Sequence, residues 1–159
     1  MLREGPRSIS AAFRRTVAGR GSETAVFSDA RSWTFADLDV ASDGVAAGLA
    51  ERGINSGDRI GLYCPNCPEF AIAYLGILKA GATVVPINLL LNPQEIVFML
   101  SDAGVRGLFF HVGLTELAAQ VRAALPGLEI AVRIGQPGAD DEPSLEALAE
   151  VGGPVPALT

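Results

Sequence analysis

Lysine is nearly absent from this sequence: Lys79 is the only one among 159 residues. Basic residues number 12 against 18 acidic ones, for a formal charge of −6, and the arginines are scattered rather than gathered on one face. Nucleic-acid partners demand clustered Lys and Arg along a helix or patch, so that class is excluded. Cysteine is equally scarce, with only Cys64 and Cys67, and no disulfide framework is implied. His111 is the sole histidine, and a zinc site at the two cysteines would need two further ligands, so metal binding is not expected.

Long apolar runs are missing too. The longest uncharged stretch, residues 80–94, contains Gly81, Pro86, Asn88, Asn92 and Pro93, which no continuous membrane helix would carry. The first ten residues, MLREGPRSIS, lack the apolar core of a signal peptide. A cytoplasmic soluble domain is expected. Three motifs are absent: a Gly-x-x-x-x-Gly-Lys-Ser/Thr phosphate loop, a Gly-x-Gly-x-x-Gly turn and a Gly-x-Ser-x-Gly nucleophile elbow.

What the chain does have is apolar residues, at 49% of the total, with a mean hydropathy of +0.33. That composition excludes disorder, and a chain of this length can bury a core without staples. The apolar residues fall into short β-branched runs alternating with longer amphipathic segments. Ile9, Phe13 and Val17 recur every fourth residue and predict a first helix. Residues 24–29 read as a strand, 29–31 as a turn and 32–33 as a short extended piece.

Thr34 and Asp37 have the spacing of a capping box and open a second helix with Phe35, Leu38, Val45 and Leu49 on its apolar stripe. Gly53 is placed to end it. A strand follows at 59–63, then a turn at 65–68, and Pro68 suits the first position of a third helix over 68–80. That helix is apolar nearly all round, with Glu69 and Lys79 at the ends that favour their charges. Residues 83–87 resemble a strand buried in a parallel sheet.

Asn92, Pro93 and Glu95 start a fourth helix that buries Ile96, Met99, Leu100 and Ala103 and stops at Gly104. Strand 105–110, helix 114–125 and strand 128–134 complete the pattern. Residues 136–143 read as a loop and 144–150 as a short helix. Alternation of this kind predicts an α/β domain: a mostly parallel sheet with helices on both faces.

Chemistry is harder to find. Cys64-Pro-Asn-Cys67, between a strand and a helix, has the placement in which a helix N-terminus activates a thiol, so thiol–disulfide chemistry is one candidate activity. The competing reading is two small apolar residues at a buried turn. His111 ends a strand where open α/β sheets place ligands, but a lone histidine there also fits a hydrogen-bonded loop. Asp37, Asp39, Asp43, Asp58 and Glu95 are assigned to helix termini or solvent faces. No catalytic, cofactor-binding or metal residue is assigned.

Six segments nevertheless stand in a familiar order: WTFADL at 33–38, GDRI at 57–60, PNCPEF at 65–70, LKAG at 78–81, VPIN at 85–88 and PQEIVFML at 93–100. Together they resemble the N-terminal part of the adenylate-forming enzymes, the acyl- and aryl-CoA synthetases, luciferases and peptide-synthetase adenylation domains. The resemblance runs over about residues 11–110, and LKAG followed by VPIN is its most specific part. It implies ATP-dependent activation of a carboxylate to an acyl-adenylate, then transfer to a thiol, with ATP, Mg and coenzyme A as cofactors of a full-length relative and none bound by this chain alone.

In that family the lysine-ended phosphate loop, the Thr-Glu pair associated with Mg·ATP, the ribose-binding Asp and the catalytic lysine all lie downstream of these blocks. None is in this sequence. Many relatives carry Arg near Leu90, and Leu removes a possible anion contact. Asn88 is expected to tie a loop and Pro86 to interrupt strand hydrogen bonding. The expectation is therefore a partial N-terminal subdomain over 1–150 and a linker or truncated edge over 151–159. Such a fragment would be inactive alone and bear on fatty acid metabolism. Its partner would be the missing C-terminal portion of the ligase or a second copy in a homodimer, which makes a non-catalytic binding module the other candidate.

Overall fold

The structure, a computed structural model, describes residues 8–28, 31–135 and 142–151. The expected turn at 29–31, most of the loop at 136–143 and all but Val151 of the expected linker lie outside the described residues, as does most of the N-terminal decapeptide.

The chain opens with α1 (Ile9–Arg20), then β1 (Thr24–Phe27) and β2 (Ser32–Thr34), which pair antiparallel as a separate two-stranded sheet. From there α2 (Phe35–Glu51), β3 (Arg59–Tyr63), α3 (Pro68–Lys79), β4 (Thr83–Pro86), α4 (Pro93–Ala103), β5 (Gly107–His111), α5 (Thr115–Ala124), β6 (Ile130–Ile134) and α6 (Leu145–Ala149) alternate. Four of these strands form a fully parallel sheet in the order β4-β3-β5-β6.

That order explains why helices cover both faces. The step from β3 to β4 goes one way, whereas the step from β4 to β5 passes back over β3. Right-handed crossovers taken in opposite directions put their helices on opposite faces. Accordingly α2, α3 and α6 pack with Ile60, Leu62, Phe109 and Val132 on one side, and α4 and α5 with Tyr63, Leu108 and Phe110 on the other. Successive residues of β5 alternate between the two cores, as the pleat requires.

The local signals act as the residue types dictate. At α2, Thr34 N–H donates to Asp37 Oδ2 at 2.8 Å and Asp37 N–H to Thr34 Oγ1 at 3.1 Å. The same reciprocal box joins Asn92 and Glu95 at α4. Gly53 and Gly104 take the left-handed conformations, at φ 80° and 61°, that end the helices before them.

Three expectations are corrected. Residues 83–86 are an edge strand and only partly buried, because β3 has β4 on one side and β5 on the other; Pro86, which lacks a donor, is tolerated at that edge. Ile9 is 56% exposed, since α1 rests on α2 and α3 as an outer layer through Phe13 and Ser10 instead. Met99 and Ala103 sit only at the margin of the core that Ile96 and Leu100 fill.

Asp39 and Asp43 are not merely solvent-facing. Their carboxylates, both at 2.6 Å, hold the Nζ of Lys79, whose side chain is 1% exposed. Lys79 Nζ also donates to the Asp39 carbonyl at 2.9 Å, and Arg14 reaches Asp43 at 2.9 Å. One buried ammonium thereby ties α1, α2 and α3 together. Asp58 likewise pairs with Arg106, which also meets Glu129 and clamps the loops at the N-terminal end of the sheet.

Candidate functional site

In a doubly wound sheet, ligands settle at the carboxyl ends of the strands where the connections diverge. Here that point lies between β3, whose chain leaves toward β4, and β5, whose chain leaves toward β6. Beyond β3 comes the Cys64–Cys67 turn; beyond β5 comes a single 3-10 turn at Val112–Leu114. A cleft of ≈ 370 Å³ opens beside the first of these, walled by Cys64, Pro65, Asn66 and Phe70 on one side and Pro86, Ile87, Asn88 and Leu89 on the other.

The cleft is placed by identifiable local choices. Pro68 starts α3 directly after the turn, with Glu69 in its first turn. Across from it, Asn88 ties the loop as expected: its Oδ1 accepts from Leu90 N–H at 3.0 Å and its carbonyl from Leu91 N–H at 3.2 Å. Leu90 itself projects into solvent at 91% exposure.

The two candidate chemical groups at this edge behave differently from activated ones. Both thiols are free, with their Sγ atoms 3.6 Å apart. Burial, above all, pushes both thiols up from the ordinary cysteine range, and Glu69 adds to the effect. The Phe70 backbone N–H and the Cys64 thiol offset it only partly at Cys67, and among the described residues no cation does, so the helix-activated nucleophile of an exchange enzyme is not assembled. His111 Nδ1 accepts from Gly113 N–H at 3.1 Å, which leaves the neutral ring's proton on Nε2. The ring fills the space beside Gly135, where φ is 102° and a Cβ would lie 3.1 Å from Nε2. His111 is a loop-tying residue.

Lys79 is fully engaged with Asp39 and Asp43, and among the described residues no group of three or more His, Cys, Asp or Glu is arranged to hold a metal. Among the described residues, the lysine and carboxylates of this junction are committed to one another rather than offered to Mg·ATP.

Sequence reasoning missed a larger cleft of ≈ 490 Å³ on the opposite side of α3's first turn. Val40, Ile72, Leu145 and Ala149 form its apolar surface, Trp33 carries the Arg31 guanidinium 3.3 Å from its ring centroid, and Asp37, Glu69, Glu146 and Glu150 surround it. Only the uniqueness of Trp33 hinted at it. Tyr63, the last residue of β3, was also missed; its buried hydroxyl has no hydrogen-bond partner among the described residues. Among the described residues no helix is long and apolar enough to cross a membrane.

Comparison with known proteins gives this arrangement its context. A substituted propanoyl:CoA ligase of Mycobacterium tuberculosis, its acyl group carrying a 7a-methyl-1,5-dioxo-octahydro-1H-inden-4-yl substituent, is 35% identical over 131 residues, covering 80% of this chain and 26% of the relative. The 3-hydroxybenzoate–CoA/4-hydroxybenzoate–CoA ligase of Thauera aromatica is 31% identical over 112 residues, covering 70% and 21%. The crystal structure of an anthranilate CoA ligase in complex with anthranoyl-AMP superposes with a TM-score of 0.81 at 31% identity, covering 86% of this chain and 26% of that one. The chain thus spans about a quarter of the length of the relatives it matches. The family model described as AMP-binding enzyme matches residues 13–156, and the chain belongs to that family.

Proposed function

We propose that this chain is the N-terminal portion of an acyl- or aryl-CoA ligase, which activates a carboxylate with ATP to an acyl-adenylate and then forms a thioester with coenzyme A. The observation that carries this reading is the family match over residues 13–156, with relatives and structural neighbours described as CoA ligases. In this reading residues 1–150 are a partial subdomain and 151–159 a linker or edge. The chain supplies scaffold and, at the carboxyl ends of β3 and β4, one wall of a cleft. The phosphate loop, metal-binding pair and catalytic lysine come from other sequence, and the 159-residue chain is inactive alone. The setting is the cytoplasm, where ATP and coenzyme A are supplied, and aliphatic acids, including fatty acids, stand beside aryl acids as candidate substrates.

ATP–pyrophosphate exchange with a panel of fatty and aryl acids tests the proposal. The chain alone should give background, and a polypeptide joining it to the rest of a ligase should give exchange. Robust turnover by the chain alone would overturn the inactivity. Background from every joined polypeptide would overturn the ligase assignment.

A second reading, an association module, is favoured by one specific observation. Phe27, Leu90 and Phe98 are 81%, 91% and 74% exposed and offer apolar surface that a partner can cover. The partner is the remainder of the ligase or a second copy. Light scattering that finds only monomer at high concentration would rule out the homodimer.

A further inference from the structure

Cys64 and Cys67 are the only cysteines in the sequence, and the fold brings their sulfurs to 3.6 Å. The two ends of the pair are held differently. Cys64 follows β3, is 5% exposed and packs into the core beneath α2 and α3. Cys67 is the N-cap residue of α3, more accessible, with its side chain free of any capping hydrogen bond. Between them lie only Pro65 and Asn66, in the wall of the cleft.

A disulfide requires an S–S separation of about 2.05 Å, so the sulfurs need to approach by roughly 1.5 Å from their present 3.6 Å. We propose that Cys64 and Cys67 form a modification site: a vicinal dithiol that closes to an intramolecular disulfide by exchange with a small disulfide of the glutathione class.

The exchange balances without further reagents. Cys67 loses its proton to solvent and its thiolate attacks one sulfur of the small disulfide. That S–S bond breaks, and one small thiolate leaves and takes up a proton. Cys64 then loses its proton and attacks the Cys67 sulfur, which breaks the mixed disulfide and releases the second small thiol. The protein dithiol gives up two electrons and two protons, and the small disulfide is reduced to two thiols.

Burial shapes the outcome on both sides of the reaction. It slows the first attack, because little thiolate is present at neutral pH. It also withholds the thiolate stabilisation that makes low-pKa dithiols strong oxidants, so the closed form persists until a dithiol reductant is added. This is a modification rather than a catalytic cycle. Cys64 lines the cleft, so the bond would couple the cleft wall to the first turn of α3.

The test uses the whole 159-residue protein. It is incubated with oxidised glutathione, unfolded in guanidinium with N-ethylmaleimide, and analysed by intact mass and peptide mapping. The expected product has lost two hydrogen atoms, takes up no maleimide and yields a Cys64–Cys67 cross-linked peptide that dithiothreitol reopens. Cys64→Ser should stop at a glutathione adduct on Cys67, and Cys67→Ser should react about tenfold more slowly than Cys64→Ser because its remaining thiol is buried. Circular dichroism checks the fold of both variants; if one is unfolded, the wild-type map still decides. Two alkylatable cysteines after exposure, a wild-type protein that halts at the mixed disulfide, or disulfide-linked dimers as the main product would each overturn the proposal.

Discussion

Replacing Lys79 with Met removes one ammonium and little volume, which isolates the electrostatic contribution of the α1–α2–α3 junction. In the wild type, Nζ has three oxygen partners at 2.6, 2.6 and 2.9 Å. Deleting one member of a buried ion pair costs about 3–5 kcal/mol, because the remaining charge is left uncompensated. Two features lower that here. Asp39 and Asp43 are 18% and 30% exposed and can recover some hydration. Arg14 also still reaches Asp43 at 2.9 Å. The expected loss is therefore about 2–4 kcal/mol, a large share of the roughly 5–15 kcal/mol that stabilises a domain.

Urea unfolding followed by circular dichroism reads the change. With a slope of about 2 kcal/mol/M, the midpoint should fall by roughly 1–2 M. Asp39→Asn supplies the internal control. In the wild type it should destabilise, since it weakens a contact to the buried ammonium. In the Lys79→Met background it should be neutral or stabilising, since it removes one of two facing carboxylates left without their cation. A loss below about 1 kcal/mol for Lys79→Met, or the same sign for Asp39→Asn in both backgrounds, would refute the reasoning.

Three other outcomes follow from single sites. Tyr63→Phe removes a buried hydroxyl that has no partner among the described residues and should leave stability unchanged or raise it by up to about 1 kcal/mol in the same urea assay; a comparable loss would reveal a partner. Gly44→Ala places a methyl group 2.0 Å from the Ala149 carbonyl oxygen, so α6 must lift from α2. The expected cost is about 1–3 kcal/mol, with faster amide exchange confined first to α6. Asp37 is held below the ordinary carboxylate range, first by the Thr34 backbone N–H and then by its hydroxyl. A depressed folded-state value means that its contribution is complete above the ordinary range and is lost as pH falls through the folded value. Asp37→Asn should therefore lower stability above the ordinary carboxylate range and flatten the fall in stability as pH drops below it, with no change of slope on the alkaline side.

The parts of the fold legible in the sequence are those written in near neighbours. Thr34 with Asp37 and Asn92 with Glu95 set two helix starts, and glycines at 53, 81 and 104 set three stops, because a capping hydroxyl or a left-handed turn acts within a few residues. The candidate site was legible only in part. Asn88 could be read as a loop tie and His111 as a hydrogen-bonded loop residue from their positions next to strand ends. The proximity of the two sulfurs and a buried turn could both be suspected from the spacing, but not that Cys64 is the more deeply buried of the two, which depends on what packs over the turn.

By itself, then, the sequence determined the α/β alternation, the caps and the six collinear blocks of the family, all of them properties of local pattern and order. Only the tertiary structure decided that β4 lies at an edge, that β1 and β2 stand apart, and that α6 lies against α2 at Gly44 and Gly48. It also decided that Asp39 and Asp43 serve Lys79 across about 40 residues of chain. The physical reason is the same in each case. Strand order and ion pairing are choices among distant partners, settled by crossover handedness and by the need to compensate a charge once packing has buried it.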